Sequence, residues 1–361
     1  MKHKLDRIRD IILRKDLDAI VLTATPNLEY LFEIREPYCI VVIFKDSTYK
    51  VYVSELDYPR LCNIVDKDSV VIISRRGYTS FENIPVVKAS ELSEEISRIL
   101  SNCRRVGVDK MSKVSTNLKS KGVEVEDVND DVLNIRREKS SYELELIKKA
   151  IRITEKALEN VISLIKPDVR EVDIEAELLK CIALEEAEPA FKPIVAAGPD
   201  AAIPHHVSTK RRIARGELVI IDVGARVRCY CSDITRTFVV GSPSSEAKDL
   251  YYAVVEAQKE ALKKVRIGEK CQEADMAARK VLHEYGVEKY FIHGLGHGLG
   301  IEYHEKPSLS PESEDSFIKG DVVTVEPGIY IPDRLGIRIE DDVAVTDEGP
   351  QILTRFPQVL I

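Results

Sequence analysis

The sequence predicts an α/β N-terminal domain over residues 1–130, followed by an α+β C-terminal domain over residues 131–361. Three observations predict this organisation. The chain has 361 residues, which is long for one hydrophobic core. Short apolar runs alternate with helical stretches up to about residue 130. Beyond that point, amphipathic helices are interspersed with strand-like segments that carry charged residues at or near their ends.

Strands of the N-terminal domain are predicted from short apolar runs. They are DAIVLTA, YCIVVIFK, TYKVYVS, SVVIIS and RRVGVD, and a helix is predicted over 91–102. The first residues predict an amphipathic helix leading into a strand, because Asp6, Asp10 and Asp16 interrupt the apolar run that a signal peptide needs. We find no cluster of candidate catalytic residues in this domain.

The C-terminal domain begins with a polar junction and a long stretch at helical spacing, NDDVLNIRREKSSYELELIKKAIRITEKALENVISLI. Further helices are predicted at roughly 171–187, 244–265 and 271–286. Strands are predicted at ELVIIDVGA, RCYCSDITRTFVV, DVVTVEPGIYI and IRIEDDVAVT.

The composition indicates which classes of binding partner and which cellular compartment to expect. The 53 Lys and Arg against 61 Asp and Glu leave a formal charge of −8, so no nucleic-acid partner is expected, because phosphate contacts need clustered cations. The seven cysteines are scattered without a CxxC pair, which argues against a disulfide framework and predicts a cytoplasmic protein. No segment resembles a membrane span, so no membrane partner is expected.

Five of the seven histidines form two groups in the C-terminal domain, which indicates a site: His205, His206, His293, His297 and His304. Glycines flank His297 in HGLGHGLG, and we expect them to let the backbone turn sharply and lie close to a metal or substrate. Cys229 and Cys231, two apart on one predicted strand face near Asp233, could add a thiol ligand, but packing is the favoured interpretation.

Four carboxylates occupy strand positions in the same domain. Asp222 ends an apolar run, and Asp233 lies in a strand-like stretch that could pair antiparallel with it. Glu326 precedes a Pro-Gly turn, and Glu340 lies in a segment that alternates charged residues with isoleucine. Taken singly, each also suits a solvent-facing position. With His297 they form an oxygen-rich set that suits Mn(II), Co(II), Fe(II) or Zn(II), and five ligands suit two ions better than one.

Six ordered motifs resemble the pita-bread metallopeptidases, the family of prolidase, aminopeptidase P, methionine aminopeptidase and the metal-free creatinase. The motifs are FKPIVAAGPDAAIPHH, VIIDVGA, SDITRTF, HGLGHGLGIEYHEKP, VTVEPGIY and GIRIED. The resemblance covers essentially the whole chain, including a creatinase/prolidase-type N-terminal domain. It implies a pita-bread (creatinase/aminopeptidase-like) catalytic domain, with two pseudo-symmetric halves around a central cleft.

By this resemblance the chain would bind two divalent metal ions. Asp233 and Glu340 would bridge the ions, Asp222 would complete one of them, and His297 with Glu326 would complete the other. Mn or Co is the favoured metal, with Zn or Fe as alternatives. Because all five ligands are present, the resemblance argues against a creatinase-like protein and against the remaining alternative, a binding module without catalysis.

The resemblance assigns roles to further residues. His205 and His304 match substrate-facing histidines. Arg338 matches an arginine that offsets carboxylate charge or meets the substrate carboxylate, and an ion pair to Glu340 or a neighbouring aspartate is the alternative. Supporting positions fall to His206, His293, Thr235 and Thr237.

The activity implied is two-metal hydrolysis of the peptide bond before proline, with Xaa-Pro dipeptides as substrate, as in prolidase. Glu326 would accept and return a proton, and His304 would stabilise the oxyanion. Aminopeptidase P, which acts on longer peptides, is the alternative. Prolidases often carry a basic residue a few positions after HExP, where this chain has Ser308, whereas the overall length and compact N-terminal domain favour prolidase. A homodimer is expected from the family.

Overall fold

A seven-stranded mixed sheet organises the first of two units, Met1–Arg136, in the computed structural model, which describes residues 1–358. Its strands are β1 (Ala19–Leu22), β2 (Cys39–Phe44), β3 (Tyr49–Ser54), β4 (Val70–Ser74), β5 (Val86–Lys88), β6 (Arg105–Val108) and β7 (Glu124–Asp127). Its helices are α1 (Lys2–Arg14), α2 (Thr25–Phe32), α3 (Tyr58–Leu61), α4 (Leu92–Ile99), α5 (Lys113–Ser120) and α6 (Asn129–Arg137), the last of which ends at the unit boundary.

The sheet order is β5-β4-β3-β2-β1-β6-β7. Pairings of β2 with β1 and with β3 are antiparallel, and the others are parallel. All five predicted strands and the predicted helix at 91–102 are present, as α4 in the last case. Strands β5 and β7 and helices α2, α3 and α5 were not predicted, because each is too short to show a periodic apolar pattern.

The second unit, Arg137–Ile361, contains two successive groups of helices and strands. The first group comprises α7 (Ser141–Val161), α8 (Glu171–Leu184), β8 (Glu188–Pro189), β9 (Ile194–Ala197), β10 (Leu218–Val223), β11 (Ala225–Val227), β12 (Tyr230–Cys231) and β13 (Ile234–Val239). The second comprises α9 (Ser245–Leu262), α10 (Cys271–Glu284), β14 (Gly296–Gly298), β15 (Glu305–Leu309), β16 (Val322–Val325), β17 (Gly328–Ile331), β18 (Leu335–Arg338), β19 (Asp341–Thr346) and β20 (Gly349–Ile352).

Helix α7 begins after Ser140, which forms a capping box with Glu143 and separates α7 from α6. The strand orders in the second unit are β13-β10-β9, β12-β11-β8, β15-β14-β16-β19-β20 and β17-β18, and the pairs described are antiparallel. Alanine-rich faces of α9 and α10 are buried in one core with β16, β18 and β19. These sheets fix the strand ends that carry the predicted carboxylates.

The predicted strand over residues 228–240 is interrupted, which corrects the expectation for its cysteines. Arg228 and Cys229 have positive φ values of 48° and 72° and form the tight turn between β11 and β12. Cys229 therefore does not share a strand face with Cys231. Both thiols are buried, and the Cys231 Sγ lies 3.5 Å from the Ile301 carbonyl oxygen, as packing predicts.

Within residues 1–358, every helix is too short or too polar to cross a bilayer.

Candidate metal centre

Strand ends in the second unit carry the five predicted ligands. Asp222 lies in β10 opposite Thr235 of β13, and Asp233 immediately precedes β13, so the antiparallel pair brings the two aspartates to the same end. His297 is the middle residue of β14. Glu326 follows β16, and Glu340 precedes β19, which pairs with β16.

The structure brings all five side chains together. Ligand atoms of Asp222, Asp233 and Glu340 lie within 4.8 Å of one another, as do those of His297, Glu326 and Glu340. The His297 Nε2 is 3.2 Å from the Glu326 Oε1 and 3.9 Å from the Asp233 Oδ2. Asp233 and Glu340 thus each contact both the Asp222 side and the His297 side of the cluster. That is the arrangement expected for bridging carboxylates.

A backbone contact orients the His297 ring. Its Nδ1 lies 3.1 Å from the Gly298 carbonyl oxygen, which can only accept a hydrogen bond. Nδ1 therefore donates to this carbonyl, and Nε2 points at the carboxylates, where it donates to Glu326 in the charged ring and offers a lone pair to a metal ion in the neutral ring.

The glycines beside His297 serve strand packing rather than the sharp turn that the sequence predicted. Gly296 and Gly298 lie in β14 and do not have left-handed φ values. A Cβ on Gly296 would lie 2.2 Å from the Thr324 carbonyl oxygen, and one on Gly298 would lie 2.0 Å from that of Lys306. Glycine is needed here because the neighbouring strands approach too closely for any side chain.

Burial and like charges shift the acidity of the carboxylates. Burial, followed by the charge of Glu340, raises the pKa of Asp233 well above its usual range. Burial and the charges of Glu326 and Asp222 raise the pKa of Glu340 in the same way. Burial also raises the pKa of Asp222, against an opposing arginine charge. At Glu326 burial opposes ionisation, but the hydrogen bond and charge of His297 outweigh it and lower the pKa to about 2.

Two buried oxygens of the cluster, Asp222 Oδ1 and Asp233 Oδ1, lack a hydrogen-bond partner within residues 1–358. A buried carboxylate oxygen without a partner costs free energy unless a cation or a proton compensates it. Four carboxylates and an imidazole are also ligand types that divalent transition metals accept. The residues present therefore fit the pair of divalent ions that the motifs imply.

Arg338 is the cation of the cluster, and it is 3 % exposed. Its Nη2 donates to the Asp222 Oδ2 at 2.5 Å, and its Nη1 donates to the Tyr330 hydroxyl at 2.8 Å. Of the two roles considered from the sequence, the structure shows the ion pair, with Asp222 as the partner. This pair neutralises one carboxylate and leaves the second Asp222 oxygen facing the cluster.

The cluster lines a cavity of about 520 Å³, within the usual range for small-ligand sites. His205 and His304 lie exposed on its wall, and the ring centroids of His304 and His297 are 3.9 Å apart. Partial burial and the nearby His297 lower the pKa of His304, so this ring is neutral at pH 7. The rings of Phe191 and Tyr303 pack 5.2 Å apart and form an apolar part of the wall.

Comparison with known proteins identifies the family. Residues 145–347 match metallopeptidase family M24, and residues 4–137 match the creatinase/prolidase N-terminal domain. The chain belongs to metallopeptidase family M24. The Xaa-Pro dipeptidase of Pyrococcus furiosus is 36 % identical to this M24 peptidase over 369 residues, which cover 100 % of both chains.

Two solved structures of peptidases share the fold. The Xaa-Pro dipeptidase from Bacillus anthracis has a TM-score of 0.86 and 31 % identity, with 100 % of this chain and 99 % of that one covered. The X-Pro aminopeptidase from Thermotoga maritima has a TM-score of 0.82 and 29 % identity, with 96 % and 97 % covered. The predicted fold class is therefore confirmed: an α/β creatinase-type N-terminal domain and a pita-bread catalytic domain.

Sequence reasoning missed two buried residues beside the M24 site. The Tyr330 hydroxyl lies 2.9 Å from the His293 Nε2 and also accepts from Arg338, so it joins His293 to the cluster. Asp342 accepts from the Asp233 backbone N–H at 3.1 Å and holds the start of β13. Tyr330 ends the quoted motif VTVEPGIY, which was the available signal. Asp342 follows Glu340 and Asp341, and nothing in the sequence distinguished it from these acidic neighbours.

The supporting residues predicted from the sequence make different contacts. His206 is buried and bonds the Glu171 Oε2 at 2.9 Å, away from the carboxylate cluster. The Thr237 hydroxyl donates to the Arg338 carbonyl and so fixes β18 rather than a ligand side chain. The Thr235 hydroxyl donates to the Glu340 Oε2 at 2.6 Å, which is the contact expected of a residue that orients a ligand.

Replacing Thr235 by valine is expected to lower metal affinity or activity at the M24 site without changing the shape of the site. Thr235→Val removes the hydrogen bond to Glu340 and the one that the hydroxyl accepts from the Arg338 Nε at 3.1 Å. We expect metal affinity or activity to fall about 10–100-fold, measured by metal titration and peptidase assay. Thr235→Ser, which keeps the hydroxyl, should stay close to wild type. Unchanged affinity and activity in the valine variant would contradict this role.

Proposed function

We propose that this M24 peptidase hydrolyses the peptide bond before proline in Xaa-Pro dipeptides. One observation carries the proposal: the carboxylate and histidine cluster, with two unpartnered buried oxygens, faces a cavity of about 520 Å³ rather than a closed core. A cavity of this size suits a small substrate. The similarity over the full length to the Xaa-Pro dipeptidase of Pyrococcus furiosus supports this substrate class.

We assign Asp222, Asp233, His297, Glu326 and Glu340 as ligands of two divalent ions, with Mn(II) or Co(II) as the favoured metals. When bound, the ions would polarise the scissile carbonyl and make a water molecule more acidic. A homodimer and a cytoplasmic location stay predictions.

Glu326 is the proton carrier in the proposed reaction. Its carboxylate is ionised at neutral pH, so it can accept the proton of an attacking water that bound metal ions would make more acidic. The same carboxyl group then returns the proton to the proline nitrogen as the peptide bond breaks. Its contact with His297 and the 3.3 Å hydrogen bond from the Thr324 hydroxyl hold the Oε1 in place.

Two histidines on the cavity wall position the substrate. His304 is neutral at pH 7 and can donate an N–H to the carbonyl oxygen that becomes the oxyanion. His205 faces the same cavity and would contact the proline-side residue. The ring pair of Phe191 and Tyr303 offers an apolar surface for the substrate side chain.

Aminopeptidase P activity is the second candidate function. Ser308, a small neutral residue, faces the cavity where many prolidases carry a basic residue. The likeness to the X-Pro aminopeptidase from Thermotoga maritima also favours it. A longer peptide has no carboxylate next to its proline and therefore needs no cation at this position.

A comparison of three peptides tests the proposal. Metal-stripped protein reconstituted with Mn(II) or Co(II) would be assayed on the dipeptide Met-Pro, a Met-Pro-Ala tripeptide and the control Met-Ala. We expect metal-dependent cleavage of Met-Pro and little cleavage of Met-Ala. Preferential cleavage of the tripeptide would transfer the assignment to aminopeptidase P. Cleavage of neither proline peptide would contradict the proline specificity.

A further inference from the structure

Apart from histidine, two basic residues line the described cavity, Arg338 and Lys192. The Arg338 side chain is held by hydrogen bonds within the protein. Its guanidinium bonds Asp222, Tyr330 and Thr235 at 2.5, 2.8 and 3.1 Å. Turning it toward a ligand would leave the Asp222 carboxylate buried and unpaired, which is strongly unfavourable. Arg338 is therefore a poor candidate for binding a substrate anion.

Lys192 is held loosely by comparison. Its side chain is 60 % exposed, and its Nζ lies 3.7 Å from the Glu175 Oε1, beyond hydrogen-bond distance. The Glu175 side chain is 12 % exposed, but no hydrogen bond joins it to the ammonium, which stays in contact with water. Lys192 can therefore change partner at lower cost than the buried, hydrogen-bonded Arg338. Lys192 follows Phe191 directly, at the edge of the apolar wall that Phe191 forms with Tyr303.

Two serine hydroxyls on a second part of the wall could assist a cation. Ser308 of β15 pairs with His297 of β14, and its exposed side chain faces the cavity. The Ser308 Oγ donates to the Ser310 Oγ over a long distance of 3.4 Å, so both hydroxyls can reorient toward a ligand. Neither contributes charge, which leaves Lys192 as the mobile cation of the cavity among the described residues.

We propose that Lys192 binds the C-terminal carboxylate of the dipeptide substrate. The inference rests on the proposed function, because only in a dipeptide does the residue after the scissile bond end in a carboxylate. That anion must lose water as it enters the cavity, and a flexible ammonium at the cavity wall compensates the loss. Lys192 is then the residue that favours dipeptides over longer peptides.

The test compares substrates with and without the carboxylate. Met-Pro would be the substrate, and Met-Pro-amide would be measured as a competitor, for wild type and for Lys192→Gln, Lys192→Arg and the control Lys180→Gln. Lys180 is similarly exposed, on α8, and pairs with Glu177 outside the cavity lining. We expect Lys192→Gln to raise the KM for Met-Pro about tenfold, which corresponds to about 1.4 kcal/mol, with kcat unchanged. The inhibition constant of the amide should not change.

Lys192→Arg keeps the charge and should retain most of the affinity for Met-Pro, and Lys180→Gln should match wild type. The inference is overturned if Lys192→Gln leaves the KM for Met-Pro unchanged, if it weakens the amide equally, or if Lys192→Arg loses as much affinity as Lys192→Gln. Wild-type protein that cleaves no Xaa-Pro peptide overturns the proposed function itself and this inference with it. If wild type cleaves Met-Pro and Lys192→Gln has the same KM for it, only the inference about Lys192 is overturned.

Discussion

Glu326→Gln is expected to remove nearly all peptidase activity while the protein stays folded. The amide cannot accept a proton from water, and it is a poorer metal ligand than the carboxylate. Loss of the proton carrier alone predicts a fall in kcat of about 10²–10⁴-fold, measured on Met-Pro with metal-reconstituted protein. The fold should survive, because glutamine has nearly the same shape and can still bond His297 and Thr324.

The matched control for this change is Glu312→Gln. Glu312 is exposed and is not among the lining residues of the cavity, so its replacement should leave kcat and KM unchanged. Circular dichroism and thermal unfolding of both variants would show whether the fold is kept. Turnover of Glu326→Gln close to that of wild type would contradict its role.

Asp233→Asn is expected to have opposite effects on the stability of metal-free and metal-loaded protein. In metal-free protein, burial and like charges make the Asp233 carboxylate unfavourable, as its raised pKa indicates. An amide removes the charge and can donate to the neighbouring carboxylates, so the free energy of unfolding should rise by about 1–3 kcal/mol. With metal, wild type should gain about 2.7 kcal/mol at an ion concentration 100 times its dissociation constant, and the variant should lose most of this gain and its activity.

The pH dependence of the free energy of unfolding is a second test of the predicted Asp233→Asn effect. The pKa of an aspartate is about 3.9 in the unfolded chain and is raised at Asp233 in the folded protein. Such a group lowers the free energy of unfolding as the pH rises from the unfolded-state pKa to the folded-state pKa. The advantage of Asp233→Asn in metal-free protein should therefore grow with pH over that interval. The exposed Asp249→Asn serves as control and should show neither effect. If metal-free Asp233→Asn protein is less stable than metal-free wild type, the claim that the clustered carboxylate charges destabilise the metal-free protein is contradicted.

Much of the candidate site follows from the sequence because the residues proposed as ligands stand at strand ends within ordered motifs. Asp222 and Asp233 were expected to meet through an antiparallel strand pair, and β10 and β13 form that pair. The partner of Arg338 could not be chosen from the sequence, since it depends on how β18 is placed against β10 in three dimensions. The strand contacts that require glycine beside His297 could not be predicted either, because the distance to a neighbouring strand is not visible in one segment.

The fold was less predictable where local signals were weak. The charged edge strand β7 reads EVED, which lacks the apolar run of a buried strand, so only its pairing with β6 defines it. Tyr330 lay inside a motif, but its hydrogen bonds to His293 and Arg338 join residues far apart in the chain. The turn at Arg228 and Cys229 uses left-handed residues other than the glycine or asparagine that would have marked it.

The measurement that tests the central claim most directly is the number of divalent ions that each chain binds, determined together with activity. Metal-stripped protein would be titrated with Mn(II), and bound Mn(II) and cleavage of Met-Pro would be followed at each addition. We predict two ions per chain, with activity appearing as they bind. Full activity in metal-free protein, or no specific binding of Mn(II) or Co(II), would contradict the assignment of the five-residue cluster as a catalytic metal centre.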